Sequence, residues 1–126
     1  MIPDNLLYTR DHEWTSVKDN IATVGITDYA QESLGEITFI ELPRIGQALT
    51  PHSFLGSVES SKAASDIYSP IAGTVIEVNQ SLVSQPEMVN TDCYGVGWIC
   101  KVKMTSEDSL KTLLTPQQYG DFLKNL

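Results

Sequence analysis

The sequence predicts a mostly β, α+β fold, and three observations carry the prediction. Short runs rich in β-branched and aromatic residues recur as far as Met104, each closed by Gly, Pro, Asn or Asp. One of them, "VGWICKVKM", alternates cleanly: Trp98, Cys100, Val102 and Met104 fall on one face, Ile99, Lys101 and Lys103 on the other. That is the period of a half-buried strand. Beyond Met104 the spacing turns helical, and strands followed by helices are the signature of an α+β domain.

Taken in order, "HEWTSVKDNIATVGIT" reads as a β-hairpin turning at Asp19-Asn20. "TDYAQESLG" reads as a short helix with Thr27 as N-cap, Asp28 in the positive first turn and Gly35 at the C′ position. "EITFIELP" is a strand stopped by Pro43, and Gly46 and Pro51 mark the next stretch as loop. "FLGSVES" and "AASDIYS" are two extended runs meeting at Ser61-Lys62, a hairpin over about residues 54–70. Pro70 to Gly73 makes another turn before the strand "TVIEVN". Residues 80–94 are mostly Ser, Pro, Asn, Gln and Asp and read as a long surface loop. A helical segment covers about 106–126. Ser106 is its first N-cap, and Thr115 with Pro116 at the first helical position starts its second helix. Tyr119, Phe122, Leu123 and Leu126 are spaced to form one packed face. With no Gly/Ser-rich or Pro-rich linker, residues 1–126 read as a single domain. A chain of this size buries roughly two-thirds of its unfolded surface.

Composition narrows the function. Sixteen acids against eight bases give a formal charge of −8, which disfavours nucleic acid and anionic membranes as partners. No apolar run approaches the length that spans a bilayer. Cys93 and Cys100 lack a paired CxxC spacing, so no metal site is expected. They read as packing or surface residues. Two thiols and no secretory leader suggest a reducing compartment. No phosphate-binding glycine loop, HExxH or GxSxG occurs, and His12 and His52 read as surface or structural residues. Chemistry made from the chain's own side chains is not expected.

One cation breaks this pattern. Lys62 is the only Lys or Arg between Arg44 and Lys101. Ser60, Ser61, Ala63 and Ala64 surround it, and Glu59 and Asp66 flank it. An amine on a long stem, set among small residues at the tip between two strands, is an accessible target for covalent modification.

"GSVESSKAASDIYSPIAGTVIEVN" resembles the lipoylation segment of the H proteins of the glycine cleavage system. "YTRDHEW", "ATVGITDYAQESLGEITFIELP" and "NTDCYGVGWICKVKM" resemble further segments of that family, in family order, so the likeness runs from about Tyr8 to Phe122. Ser61 stands where the family usually has Val, and Cys93 where it usually has Pro. The resemblance implies a lipoyl-domain-like barrel-sandwich hybrid and a carrier, not an enzyme, with lipoate amide-linked to Lys62. It implies that the arm takes an aminomethyl group from a pyridoxal-phosphate glycine decarboxylase. The arm then presents the group to a tetrahydrofolate-dependent aminomethyltransferase and is reoxidised by dihydrolipoyl dehydrogenase. Glu59, Ser60, Ser61 and Ala63 would face the lipoylating enzyme. Glu13, at the acidic position the family places at the arm's cleft, and Asp66 would dock a cationic cargo. A monomer in the bacterial cytoplasm is expected, or in the mitochondrial matrix if the chain is a processed form. Two other roles share the lysine chemistry: a lipoyl domain of a 2-oxo acid dehydrogenase complex, and a relay in lipoate distribution. The C-terminal helices, the "HEW" hairpin and the missing linker speak against the first. Sequence does not separate the second.

Overall fold

The structure, a computed structural model, describes residues 2–126. Two antiparallel sheets face each other. The larger has six strands in the order β1 (Leu7–Tyr8), β2 (Glu13–Lys18), β3 (Ile21–Ile26), β9 (Cys100–Met104), β8 (Gly73–Val78) and β5 (Ala48–Leu49). The smaller has three, in the order β4 (Ile37–Glu41), β6 (Phe54–Ser60) and β7 (Ala64–Tyr68). Inward residues of both sheets meet in one core: Val24 and Ile26, Ile37 and Ile40, Leu55, Val58 and Ile67, Val75 and Val102. Each such side chain contributes about 1.5–3 kcal/mol on burial.

Local chemistry explains the connections. Lys18 pairs with Ile21, leaving Asp19 and Asn20 as a two-residue turn with φ of 53° and 65°. Positive φ at both positions suits the right-handed strand twist, and Asn and Asp tolerate it. Helix α1 (Asp28–Leu34) starts where the Thr27 hydroxyl accepts from the Ala30 N–H, and stops at Gly35. The second C-terminal helix also follows expectation: α4 (Pro116–Lys124) carries a full capping box between Thr115 and Gln118.

Five expectations need correction. Residues 80–94 are not a bare loop: they hold helices α2 (Ser81–Ser84) and α3 (Met88–Thr91) and bury Leu82, Val89 and Cys93. Four-residue helices are too short to print a 3.6-residue period. Ile99 is fully buried rather than facing away from the core, because β9 begins only at Cys100. Ile99 therefore enters the main core while Trp98 joins an aromatic cluster. Ser106 starts no α-helix. Its hydroxyl accepts from the Asp108 N–H ahead of a 3-10 turn over Asp108–Thr112. The short β5 was unforeseen between Gly46 and Pro51. Leu126 lies past the end of α4 and is 63% exposed.

The aromatic cluster fixes α4 against β1 and β2. Leu6, Tyr8, Trp14, Leu114 and Tyr119 form its buried centre. Tyr119 stacks on Tyr8 with ring centroids 4.7 Å apart. Its hydroxyl bonds the Thr27 hydroxyl at 2.7 Å and His12 Nδ1 at 2.8 Å.

Candidate functional site

Lys62 stands at the tip of the β6–β7 hairpin. The tip is closed by Ser60, whose N–H donates to the Ala63 carbonyl at 2.8 Å. The Ser60 hydroxyl accepts from the backbone N–H groups of Lys62 (3.3 Å) and Ala63 (3.2 Å). A serine bonding its own turn needs no bulky neighbour to hold the conformation. Ser60 was expected only as a recognition residue; its bonds give it a structural task as well. Ser61, Lys62, Ala63 and Ala64 are all exposed. Among the described residues, ion pairs join Lys101 to Glu77 and Lys111 to Asp108, and neither holds Lys62. Its stem runs past Gly35: a Cβ placed there would sit 3.5 Å from Lys62 Cε. Gly35 has φ 79° and ψ −156°, a conformation open essentially to glycine alone. Asn90 holds this loop through bonds to the Gly35 carbonyl, the Ile37 N–H and the Gln31 amide.

Glu59 and Asp66 are exposed on β6 and β7, where Glu59 pairs with Ala64 and Asp66 with Ser57. Glu13 lies elsewhere than a position facing the tip. It is 2% exposed, at the base of the hairpin. Its Oε2 accepts from the N–H of Tyr68, the last residue of β7, at 3.1 Å, and its Oε1 accepts from the Thr9 hydroxyl at 2.6 Å. The alternation of β2 turns Glu13 inward while Trp14 joins the aromatic cluster. Burial lifts the Glu13 carboxyl to about 7, against the opposing pull of the Thr9 and Tyr68 donors. Glu13 and Asp66 thus address neighbouring points of β7, since Asp66 is two residues, about 7 Å of strand, from Tyr68.

Other candidate groups are held inside the fold. Burial pushes both the Cys93 and Cys100 thiols up to about 12, so neither is a thiolate at neutral pH. The Cys93 carbonyl accepts from the Trp14 indole at 3.0 Å. His12 is half-buried under Tyr29, Tyr119 and Phe122, and burial lowers its pKa. No group of three or more metal-ligating side chains occurs among the described residues, nor any helix long and apolar enough to cross a membrane.

Fold and site together define a class: a β-sandwich domain that presents one unpaired lysine amine on a stiff two-stranded arm. The sequence profile of the family described as glycine cleavage H-protein matches residues 6–126. Glycine cleavage system H proteins of Carboxydothermus hydrogenoformans and Rubrobacter xylanophilus are similar to the chain. The first is 48% identical over 98% of this chain and 95% of its own, the second 49% identical over 94% and 92%. The crystal structure of a glycine cleavage system H protein from Mycobacterium marinum superposes with a TM-score of 0.90 at 37% identity, covering 99% of this chain and all of that one. The chain belongs to the glycine cleavage H-protein family. That family consists of lipoate-bearing carriers rather than enzymes, and the barrel-sandwich expectation agrees with the superposition.

Proposed function

We propose that this chain forms one domain that carries lipoate in amide linkage on Lys62 and serves as the mobile carrier of a glycine cleavage system. The observation that carries this reading is the placement of Lys62. It is an exposed amine in no ion pair, at a turn held by Ser60, in a family of lipoyl carriers. The residues present suit the group: its attachment needs an open amine, and Ser61, Ala63 and Ala64 put no bulk beside it. When bound, lipoate supplies a cyclic disulfide that opens and closes as a two-electron thiol couple and takes up an aminomethyl unit.

The chain's own residues tether, present and receive. Lys62 is the tether. Glu59, Ser60, Ser61 and Ala63 are the face met by the lipoylating enzyme. Glu13 and Asp66 receive a cargo ammonium along β7. Each Glu13 oxygen has a second lone pair beyond its present bond, and a cation nearby would ionise a carboxyl poised at about 7. The partners are the pyridoxal-phosphate glycine decarboxylase, the aminomethyltransferase and dihydrolipoyl dehydrogenase. The chain works as a monomer in the cytoplasm.

Peptide mass spectrometry after co-expression with a lipoylating enzyme and lipoate tests the assignment. The added mass should fall on Lys62 alone. Addition at Lys101 or Lys103 with Lys62 bare would overturn it.

A further inference from the structure

The outer face of the larger sheet carries a trough. Two cavities of about 350 and 380 Å³ lie side by side on it and share Ser16, Thr23 and Lys101. These three are direct neighbours across the strands: Ser16 of β2 pairs with Thr23 of β3, and Thr23 with Lys101 of β9. Paired residues point to one side of a sheet, and the other side of these strands is the core of Ala22, Val24 and Val102. Two hydroxyls and an ammonium therefore meet on the floor of the trough. Among the described residues no hydrogen bond claims either hydroxyl. Lys101 reaches only Glu77, at 3.9 Å, well beyond the ~2.7–2.9 Å of a charge-assisted hydrogen bond. The aromatic wall at one end, Trp14, Tyr94 and Trp98, is fixed by the fold. The Trp14 indole N–H donates to the Cys93 carbonyl, and its ring fills the space that a Cβ on Gly25 would need. The Trp98 carbonyl accepts from the Asn79 amide at 2.8 Å, and the Tyr94 hydroxyl accepts from the Asp28 N–H. The polar groups of the wall are thus spent, and those of the floor are not.

That division selects a ligand. Rigid aromatic side chains at one end suit a flat apolar ring. An ammonium flanked by two hydroxyl donors suits a carboxylate, whose two oxygens accept several hydrogen bonds at once. The acids fix the direction. Asp19 and Glu77 line the far cavity beside Lys18, so the anion stops at Lys101 and the ring points to the tryptophan end. We propose that this trough is a binding site for a small aromatic carboxylate. Its ring lies among Trp14, Tyr94 and Trp98, and its carboxylate accepts from Lys101, Ser16 and Thr23. Each cavity is within the roughly 300–1,000 Å³ that small-molecule sites occupy. Lys101 Nζ already stands over the Trp98 ring, 5.2 Å from its centroid, so cation and aromatic wall adjoin before any ligand arrives. The trough belongs to the larger sheet and Lys62 to the smaller, so the site makes no use of the tether and stands apart from the reading of Lys62.

The test follows the full isotope-labelled chain by amide NMR during titration with 2-naphthoate. A parallel titration uses 2-naphthamide, which has nearly the same shape without the charge. Trp14 and Trp98 are the chain's two tryptophans, so both indole N–H signals report on the trough. Naphthoate should shift both signals, and the amides of Ser16, Thr23 and Lys101, saturably and with a Kd below about 1 mM. The amide probe should bind about tenfold more weakly, for want of the charge-assisted bonds. Lys101→Met should erase that preference, and Lys101→Arg should keep it. Thr23→Val, which removes one hydroxyl at constant shape, should weaken naphthoate severalfold and leave the amide probe unchanged. No saturable shift, equal affinity for the two probes, or shifts centred on the Lys62 hairpin would each overturn the site. So would naphthoate binding that Lys101→Met leaves intact. A circular dichroism melt within a few degrees of the parent guards against misfolding, and the two probes on the parent chain decide the matter if a variant fails to fold.

Discussion

Around Lys62 the chain spends only Ser and Ala, all exposed or half-exposed, and the order of the turn comes from one serine hydroxyl. Around Tyr119 it sets ring on ring and bonds the phenol twice, to Thr27 and His12. Both regions are held in shape, by opposite means. The tip is ordered by backbone bonds that survive any change of the lysine side chain. The C-terminal cluster is held by packed side chains, with stacked rings and a bonded phenol. Reactivity and stability therefore sit on different residues, and substitutions should separate them.

The largest effect is expected at the tip, and it should be invisible to a melt. Lys62→Arg should abolish carrier activity, because a guanidinium forms no lipoyl amide under the conditions that modify an amine. Its unfolding free energy should stay within about 0.5 kcal/mol of the parent, as for exposed sites generally. A marked loss of stability would show that the tip is packed more tightly than its exposure implies. Tyr119→Ala is the mirror image. Removing a ring that is 1% exposed should cost about 3–5 kcal/mol in urea unfolding, with Lys62 still modified in whatever fraction remains folded.

Glu13, at the foot of the hairpin and away from both regions, should show its behaviour in pH dependence. Its folded carboxyl sits at about 7 against a model-compound value of 4.5, so the folded chain holds a proton that the unfolded chain releases. Stability from this group is full below pH 4.5 and is lost as pH rises through about 7, up to about 3 kcal/mol. His12 works the other way. Burial lowers its pKa below 6.5, so its part grows as pH climbs toward that value. Glu13→Gln keeps an oxygen for the Tyr68 N–H but turns an NH2 donor toward the Thr9 hydroxyl, which in the parent donates to the carboxylate, so a constant loss of stability is expected at every pH. Its unfolding free energy should stay flat from pH 6.5 to 8, where the parent declines. Parallel curves would show that the carboxylate is better solvated than its burial indicates. The smallest effect belongs to Thr15, whose buried hydroxyl finds no partner among the described residues. Thr15→Val should gain up to about 1 kcal/mol in the same unfolding assay.

Sequence reasoning reached the parts of the fold that are written locally. The Asp19-Asn20 turn, the Thr27 and Thr115 caps and the meeting of two strands at Lys62 each depend on residues within a few positions of one another. What stayed illegible depends on distant partners. Nothing near Glu13 in sequence announces that Tyr68 lies against it, since that bond closes a separation of 55 residues. Asn90 reads as one more polar residue in a polar stretch until its amide is seen holding the loop beside Lys62. Phe39 looks like an ordinary strand residue, because the bulge between Ile37 and Phe39 shifts the alternation that would otherwise place it. Ser61 and Ala63, by contrast, needed only their small size to be placed beside an open lysine.

The hairpin that bears Lys62 is also a ruler with a fixed zero. At its foot the register shifts between Phe54 and Gly56, and a side chain on Gly56 would collide with the Glu41 carbonyl. The strands cannot slide past that mark, so the lysine's height is set by counting residues. Adding one residue to each strand just above that mark would raise it by about 3.4 Å and turn Glu59 and Asp66 inward, while adding two would raise it by about 7 Å with the faces preserved. Length in this arm is thus governed by parity: even additions keep its faces, and an odd one keeps them only where a register shift like that between Phe54 and Gly56 absorbs it.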